Sequence, residues 1–403
     1  MGLEEGRVRV GLTERLYYTD SYLREFRANV IEASDGGCRV YLDRTAFYPA
    51  SGGQPFDTGT IGDAAVIEVA DEGDRIAHIT GAPITPGDVG CAIDWPRRFD
   101  HMQQHSGQHL LSAVLVELYG AATFGFHLGA ESSAIDIGAS LTDIQLAAAE
   151  LRANEIVFEN RPVSISFEDA SAAGGLRKAS EREGTLRIVN IEGLDRSACG
   201  GTHVCSTGEI GPVLIRKLER VHGNLRIEFL CGLRAVRRAH ADYDALARIG
   251  RTFSCALDDA PALAAAQVQS LEAAEKARRK AAVELAQVRG RELYAATASD
   301  AAGLRTAVER VAAGTSEEEV RSRAQGFTAQ ARACFIALTA SARPAVLMAV
   351  SADAGVHAGN VLKEAVARLG GRGGGSAQMA QGSVPAPEAG DELVSALLRV
   401  IGQ

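Results

Sequence analysis

Two short segments of this sequence combine histidine and cysteine at spacings that suit a metal ion. His105 and His109 are four residues apart, so on a helix they lie on one face, about one turn from each other. Cys199 and His203 are also four residues apart, and the two glycines between them allow a turn tight enough for both side chains to converge. Three imidazoles and a thiolate suit Zn²⁺ among the available metals. Together the two segments predict a zinc site.

The residues alone leave two questions open at this site. His101 lies one turn before His105, so either neighbouring pair of histidines could bind the metal, with the third histidine beside it. Four protein ligands are typical of a structural zinc, whereas a catalytic zinc keeps one position open for water. Zinc could therefore activate water, orient a substrate or only organise a pocket. The pattern of residue types does not choose among these.

The first histidine pair lies in a segment with helical spacing. From Trp95 to about Leu118 the only glycine is Gly107, and Asp94 and Pro96 suit the N-cap and the first turn of a helix. The preceding residues read as short strands separated by Gly, Asp and Pro turns, which favours an all-β barrel. The sequence therefore predicts an α+β multidomain protein with the following layout: an N-terminal β-barrel domain (1–95), an α+β zinc domain (96–250), a long helical arm (256–295) and a small C-terminal α/β domain with a glycine-rich segment (300–403).

The predicted helical arm has an apolar seam. Residues 262–289 contain neither Gly nor Pro, and the seam keeps heptad spacing through Leu271 and Leu285, with an interruption at Arg278. Such a seam favours weak self-association. We therefore expect a homodimer formed through this arm or through the C-terminal domain.

Composition restricts the class of protein. The chain has 403 residues, 46% of them apolar and 23% charged, which is typical of a globular protein. Its net charge of −9 argues against non-specific coating of nucleic acid, so phosphate contacts must come from local basic stretches such as 216–238 and 276–280. The seven cysteines form no regular framework, which predicts reduced thiols and a cytoplasmic location. The longest apolar runs are too short to span a bilayer, so no membrane partner is expected.

Four motifs resemble one known family in the same order. The segments His105-Ser-Gly-Gln-His109-Leu-Leu and Ser197-Ala-Cys-Gly-Gly-Thr-His-Val resemble the paired zinc motifs of alanyl-tRNA editing domains. The segment Phe47-Tyr-Pro-Ala-Ser-Gly-Gly-Gln-Pro-Phe-Asp-Thr-Gly resembles the glycine-rich part of the family's N-terminal barrel, and Gly370–Gln381 resembles the C-terminal domain of alanyl-tRNA synthetase. The chain is identified as a member of the freestanding editing proteins of the AlaX type, in their long form. No segment long enough for a class II aminoacylation domain precedes the barrel.

The resemblance implies a function and a set of ligands. It makes residues 96–250 a zinc editing domain, and it aligns the metal ligands with His105, His109, Cys199 and His203 rather than with His101. The implied activity is that of an ATP-independent trans-editing hydrolase, which cleaves the ester of Ser-tRNA(Ala) and also of Gly-tRNA(Ala). One alternative is a Ser-tRNA(Thr) deacylase, because threonyl-tRNA synthetase editing domains resemble these motifs as well. Another is a tRNA-binding module with a structural zinc and no turnover.

Selectivity for serine requires a polar partner for its hydroxyl group. A pocket that bonds this hydroxyl spares alanine, because bound alanine would leave the polar group unpaired. Thr202, Gln54 and Ser51 are candidates for this pocket. The resemblance implies that the segment 123–129 lines the same pocket, with His127 able to orient a water molecule. Catalytic roles are therefore predicted for Thr202, Gln54 and His127.

The glycine-rich segment 370–375 admits several interpretations. It lacks the lysine of a phosphate-binding P-loop, so nucleotide binding is not expected, and a flexible linker is a common alternative. The resemblance favours a backbone surface that approaches tRNA, where Arg372 could meet a phosphate.

Overall fold

The computed structural model describes residues 12–181, 183–221, 223–312 and 314–402. These residues form two compact units, which divide between Arg248 and Ile249. The mixed α+β architecture with a barrel agrees with the sequence-based prediction of fold class. The predicted domain boundaries stay predictions, and residues 1–11 of the predicted barrel domain lie outside the described residues.

A closed six-stranded barrel forms the first part of the first unit. Its strands are hydrogen-bonded in the order β2-β3-β7-β6-β5-β8, and β1 pairs with β4 outside it. Alternate side chains fill the interior, as in Val40, Leu42 and Ile76. The strand bounds are β1 (Glu14–Arg15), β2 (Glu25–Ser34), β3 (Arg39–Leu42), β4 (Arg44–Thr45), β5 (Gly59–Ile61), β6 (Ala64–Asp71), β7 (Ile76–Thr80) and β8 (Gly87–Ile93).

Helix α1 (Trp95–Tyr119) follows the barrel and carries the first histidine pair. The Asp94 side chain accepts a hydrogen bond from the backbone N–H of Arg97, and Gly120 ends the helix in a left-handed conformation. Residues 101–115 are buried without interruption. The polar side chains of this helix therefore need partners inside the protein. Gln104, for example, exchanges two hydrogen bonds with the backbone of Cys231.

Two antiparallel sheets pack around α1. The first has the order β14-β15-β10-β9 and the second the order β11-β12-β13. Their shared core includes Leu111, Ile135 and Phe229, all fully buried. The elements are β9 (Thr123–Leu128), β10 (Ser133–Ile137), α2 (Asp143–Glu159), β11 (Val163–Asp169), β12 (Thr185–Ile191), β13 (Asp195–Ala198), β14 (Val213–Val221), β15 (Asn224–Cys231) and α3 (Gly232–Phe253), whose last residues belong to the second unit.

The second unit contains a long helix and a five-stranded mixed sheet. The sheet order is β16-β17-β18-β20-β19, with β16 and β17 parallel and the other neighbours antiparallel. Gly290 and Gly326 bring α4 and α5 together, because a Cβ on either would lie 2.1 Å from a carbonyl oxygen of the other helix. The elements are α4 (Ala260–Ala296), β16 (Arg305–Val311), α5 (Glu317–Thr328), β17 (Ala333–Thr339), β18 (Ala345–Val350), α6 (Ala358–Arg368), β19 (Arg372–Gly375), β20 (Met379–Ser383) and α7 (Pro387–Ile401).

Several features correct or extend the sequence-based picture of the second unit. The glycine-rich segment is not a flexible linker, since Arg372–Gly375 forms β19 and pairs with β20. The seam residues Leu271 and Leu285 are 60% and 50% exposed within the chain. Self-association through the arm stays a prediction. Across the described ranges, no helix combines the length and the apolar character needed to traverse a bilayer.

Candidate metal centre

Four side chains from two separate parts of the chain meet inside the first unit. The ligand atoms of His105, His109, Cys199 and His203 all lie within 4.8 Å of one another. The Nε2 atoms of His105 and His203 are each 3.4 Å from Cys199 Sγ. Each of the three histidines is less than 5% exposed. This is the set of four predicted from the sequence, and His101 does not belong to it.

A separate hydrogen bond fixes the other nitrogen of each histidine ring. The Nδ1 atom of His105 lies 2.8 Å from Oε1 of Gln54, and that of His109 lies 3.0 Å from Oδ2 of Asp195. Both oxygens only accept, so each of these Nδ1 atoms carries a proton and each Nε2 keeps a lone pair for a metal. The Nδ1 atom of His203 lies 3.1 Å from Oγ of Ser106.

A glycine of the second motif allows the Cys199–His203 turn to approach the helix that carries His105. A Cβ on Gly201 would lie 2.2 Å from Cε1 and 2.4 Å from Nδ1 of His105, so only glycine fits there. Gly200 is less restricted, because a Cβ on it would lie 3.7 Å from the ring of Tyr18. On the other side of His105, the ring of Phe126 stacks at a centroid distance of 5.2 Å. The His105 ring is therefore held from both sides.

The electrostatics of the cluster favour a thiolate. Burial would raise the pKa of the Cys199 thiol, but the neighbouring imidazole of His105 and the hydrogen bonds from His105 and His109 outweigh burial and hold this pKa well below its usual value. Burial also lowers the pKa of His203 to about 3, which keeps that ring neutral. For His109, burial also acts to lower the pKa, but the hydrogen bonds with Asp195 and Cys199 outweigh it and raise this pKa to about 9. A metal bound at Nε2 of His109 would therefore displace a proton from that nitrogen.

The donor set and its spacing fit zinc. Tetrahedral bonds of about 2.1 Å to nitrogen and 2.3 Å to sulfur place those two atoms about 3.6 Å apart. The two Nε2–Sγ distances of 3.4 Å are close to that value. Cys199 is the one ligand of the four that is partly exposed, and the turn 51–53 beside the cluster is exposed. Cys199 is therefore the ligand that lies nearest to the surface of this unit.

Two of the three predicted catalytic residues adjoin the cluster. Gln54 bridges the two motifs, because its Oε1 accepts from the backbone N–H of Thr202 while its Nε2 donates to Thr202 Oγ1 at 2.8 Å. His127 lies elsewhere, on the exposed side of β9, where its Nε2 is 3.2 Å from Oδ2 of Asp136. Phe126, its neighbour in the chain, is the residue of β9 that touches the cluster.

Sequence reasoning missed the residues that hold the ligands in place. Asp195 is buried, and its second oxygen accepts from Nε of Arg177 at 2.7 Å. Arg187 donates to the carbonyl oxygen of Cys199 at 2.7 Å and so braces the second motif. Ser106 follows His105 directly, and Asp195 lies four residues before Cys199. A polar residue so close to each motif was the sequence signal that could have indicated a partner for a ligand histidine.

Comparison with known families agrees with this geometry. The family described as the threonyl and alanyl tRNA synthetase second additional domain matches residues 186–228, which include the second motif, and the DHHA1 domain matches residues 303–403. The chain is 36% identical over 266 residues to the alanyl-tRNA editing protein Aarsd1 of Mus musculus, with 60% of this chain and 64% of that protein covered. This chain is a relative of the alanyl-tRNA editing proteins. The resemblance predicted from its motifs is confirmed.

Two other relatives extend the comparison. The alanyl-tRNA editing protein AlaX-L of Pyrococcus horikoshii is 38% identical over 242 residues, with 56% of this chain and 60% of that protein covered. An alanine–tRNA ligase of Korarchaeum cryptofilum is 30% identical over 397 residues, which cover 93% of this chain and 43% of the ligase. The chain thus spans less than two thirds of the length of these curated relatives. The editing proteins match a shorter stretch of this chain than the ligase does.

Proposed function

We propose that this chain is an aminoacyl-tRNA deacylase that acts in trans on tRNA(Ala) mischarged with serine, with Gly-tRNA(Ala) as a second substrate. The observation that carries this proposal is the cluster of three oriented histidines and one thiolate beside an exposed turn. The names of the editing proteins to which the chain is similar support the same class of substrate.

The cofactor that we propose is Zn²⁺, held by His105, His109, Cys199 and His203. When bound, zinc acts as a Lewis acid that polarises an ester carbonyl or lowers the pKa of a water molecule. Because Cys199 is needed as a ligand, we do not assign it a role as nucleophile. The ester of an aminoacyl-tRNA is already activated, so positioning of the reacting groups supplies much of the rate.

The residues of the chain that we assign to positioning are Gln54, Asp195 and Ser106. Each holds one ligand histidine through its Nδ1 atom. Loss of such an outer contact costs about 10- to 100-fold in metal affinity or activity in comparable centres. Gln54 has a second task, because it also bonds both the backbone and the side chain of Thr202.

For selectivity we propose that Thr202 and Gln54 supply the polar groups that recognise the serine hydroxyl. Their mutual hydrogen bond is buried, and Thr202 follows Gly201 at the centre of the second motif. Thr202 Oγ1 accepts from Gln54 and keeps its own proton to donate to the serine hydroxyl. Bound alanine would leave that donor without a partner, which disfavours its hydrolysis. His127 remains a candidate for orienting water only if substrate reaches the exposed side of β9. Full activity of a His127→Gln variant would remove it from the catalytic group.

A deacylation assay tests the proposal against its alternatives. The zinc-loaded protein is incubated separately with Ser-tRNA(Ala), Gly-tRNA(Ala), Ala-tRNA(Ala) and Ser-tRNA(Thr). We expect release of serine from Ser-tRNA(Ala) and little release of alanine. Preference for Ser-tRNA(Thr) would favour the threonyl alternative, and the match to the DHHA1 domain argues against it. No hydrolysis of any of the four would favour a tRNA-binding module, which the complete set of four protein ligands supports.

Two further properties belong to the proposal. A homodimer formed through α4 or the C-terminal domain would be detected by light scattering at increasing protein concentration. A cytoplasmic location is supported by the seven cysteines, all of which are free thiols in the structure.

A further inference from the structure

A cavity of about 1040 Å³ lies in the first unit beside the start of α1. Its walls come from the first three turns of α1, the loop 129–131 after β9, the end of β15 and the first half of α3. Pro55, which follows Gln54, lines one side of it, and His101, one helical turn before His105, lines another. Four residues of an α-helix advance about 6 Å. The cavity therefore adjoins the metal centre without containing any of its four ligands.

Cations without carboxylate partners line this cavity. Within the described ranges Arg237 makes no ion pair, and Arg97 uses its Nε to donate to the carbonyl oxygen of Phe56. The other two lining arginines, Arg234 and Arg238, are each paired with an aspartate. Glu131 is the one lining carboxylate without such a partner. The uncompensated charge of the wall is thus positive, which suits an anionic ligand.

The remaining wall is aromatic, with one buried polar atom. Trp95 and Phe99 lie side by side at a centroid distance of 5.5 Å, and both line the cavity. His101 is 3% exposed and lines the cavity as well, yet its Nδ1 has no hydrogen-bond partner. A buried polar atom of this kind normally has a partner, so it indicates a group that a ligand would supply.

We propose that this cavity binds the unpaired nucleotide that precedes the charged nucleotide of the tRNA. The inference rests on the proposed function, since it assumes that the esterified end lies at the metal centre. An RNA strand whose last nucleotide lies at the metal centre, and which passes Pro55 and His101, places its second-to-last nucleotide in the cavity. The base then packs against Trp95 and Phe99, and its edge bonds Nδ1 of His101. The phosphate lies against Arg237 and Arg97. Aromatic side chains with arginines are the usual means of holding single-stranded RNA.

The chain offers a direct probe, because Trp95 is its only tryptophan. The zinc-loaded full-length protein is titrated with the uncharged trinucleotide CCA while tryptophan fluorescence is recorded. We expect a saturable change that weakens as salt is added. Arg237→Glu should raise the dissociation constant at least tenfold. Arg251→Glu, the same charge change in the last turn of α3, is the matched control and should leave it within twofold.

The outcomes separate this inference from the proposed function. The inference alone would be overturned if the wild-type protein deacylated its substrate while CCA left the Trp95 fluorescence unchanged. It would also be overturned if Arg237→Glu bound CCA as tightly as the wild type. A response to AMP but none to CCA would also overturn it, in favour of a free nucleotide. Binding of CCA without any deacylation would overturn the proposed function and leave the nucleotide site standing. In the deacylation assay, Arg237→Glu should raise KM with kcat unchanged.

Discussion

The two adjacent glycines of the Cys199–His203 motif should respond very differently to the same substitution. In Gly201→Ala the new methyl group would lie 2.2 Å from Cε1 of His105, whereas ordinary contact begins at about 3.4 Å. One of the two segments must therefore move by 3.4 − 2.2, or about 1.2 Å. In Gly200→Ala the methyl group would lie 3.7 Å from its nearest neighbour, Tyr18, and nothing needs to move.

The movement would displace His105, whose ring is held on several sides. His105 is buried, stacked on Phe126 and bonded to Gln54. A zinc–nitrogen bond of about 2.1 Å cannot lengthen by 1.2 Å and remain a bond. A misplacement of about 1 Å at a reacting centre costs about 100-fold in rate. We expect Gly201→Ala to lose zinc and to fall at least 100-fold in kcat/KM.

Metal analysis, chelator competition and serine release from Ser-tRNA(Ala) measure these effects in both variants. Gly200→Ala, with the same added methyl group one residue away, should retain zinc and activity within about threefold. Circular dichroism confirms that both variants fold. If Gly201→Ala held zinc and hydrolysed substrate as well as Gly200→Ala, the packing of the two motifs described above would be wrong.

Three other predictions concern single contacts. Ser106→Ala removes the partner of His203 Nδ1 and should weaken zinc binding about tenfold. Ser112→Ala, equally buried on α1 but bonded to Gln108 and Thr123 rather than to a ligand, should not. Equal chelator-competition curves for the two variants would refute this. Thr202→Val should lower the ratio of serine to alanine release about two- to tenfold, the value of one neutral hydrogen bond, and an unchanged ratio would contradict the proposed selectivity. His78 is fully buried in the barrel, which lowers its pKa to about 4. The neutral His78 ring therefore accounts for about 3 kcal/mol of the free energy of unfolding. This part is fully present above the pKa of about 6.5 that histidine has in the unfolded chain, and it is lost as pH falls towards 4. Urea unfolding at pH 7.5 and 4.5 should therefore show a smaller loss in His78→Gln than in the wild type, and equal losses would count against it.

Local signals in the sequence were sufficient for the first helix, and together with the family resemblance they indicated the four side chains of the candidate metal centre. Asp94 and Pro96 mark the start of α1, and the helix begins at Trp95. The spacing of the two motifs indicated ligands on a helix face and in a tight turn, and the structure brings those four side chains together. Such features depend on neighbours in the chain, so they can be read without tertiary structure.

Contacts between distant segments could not be predicted from the sequence. Gln54 was predicted as a pocket residue, but nothing in its own segment indicates that it bonds His105, 51 residues away. The strand β19 has a sequence of Arg and three Gly, which predicts a loop, and it is a strand because its backbone pairs with β20. His127 and Phe126 are neighbours in the chain, and only the pleat of β9 decides which of them faces the cluster.

The most direct test is a zinc titration of the metal-free protein, followed by serine release from Ser-tRNA(Ala) at each point. We expect activity to rise in proportion to zinc and to level off at one equivalent. A His109→Ala variant should neither bind the equivalent nor gain activity. Hydrolysis that is independent of zinc, or one equivalent of zinc bound with full affinity by His109→Ala, would contradict the claim that this cluster is the reactive centre.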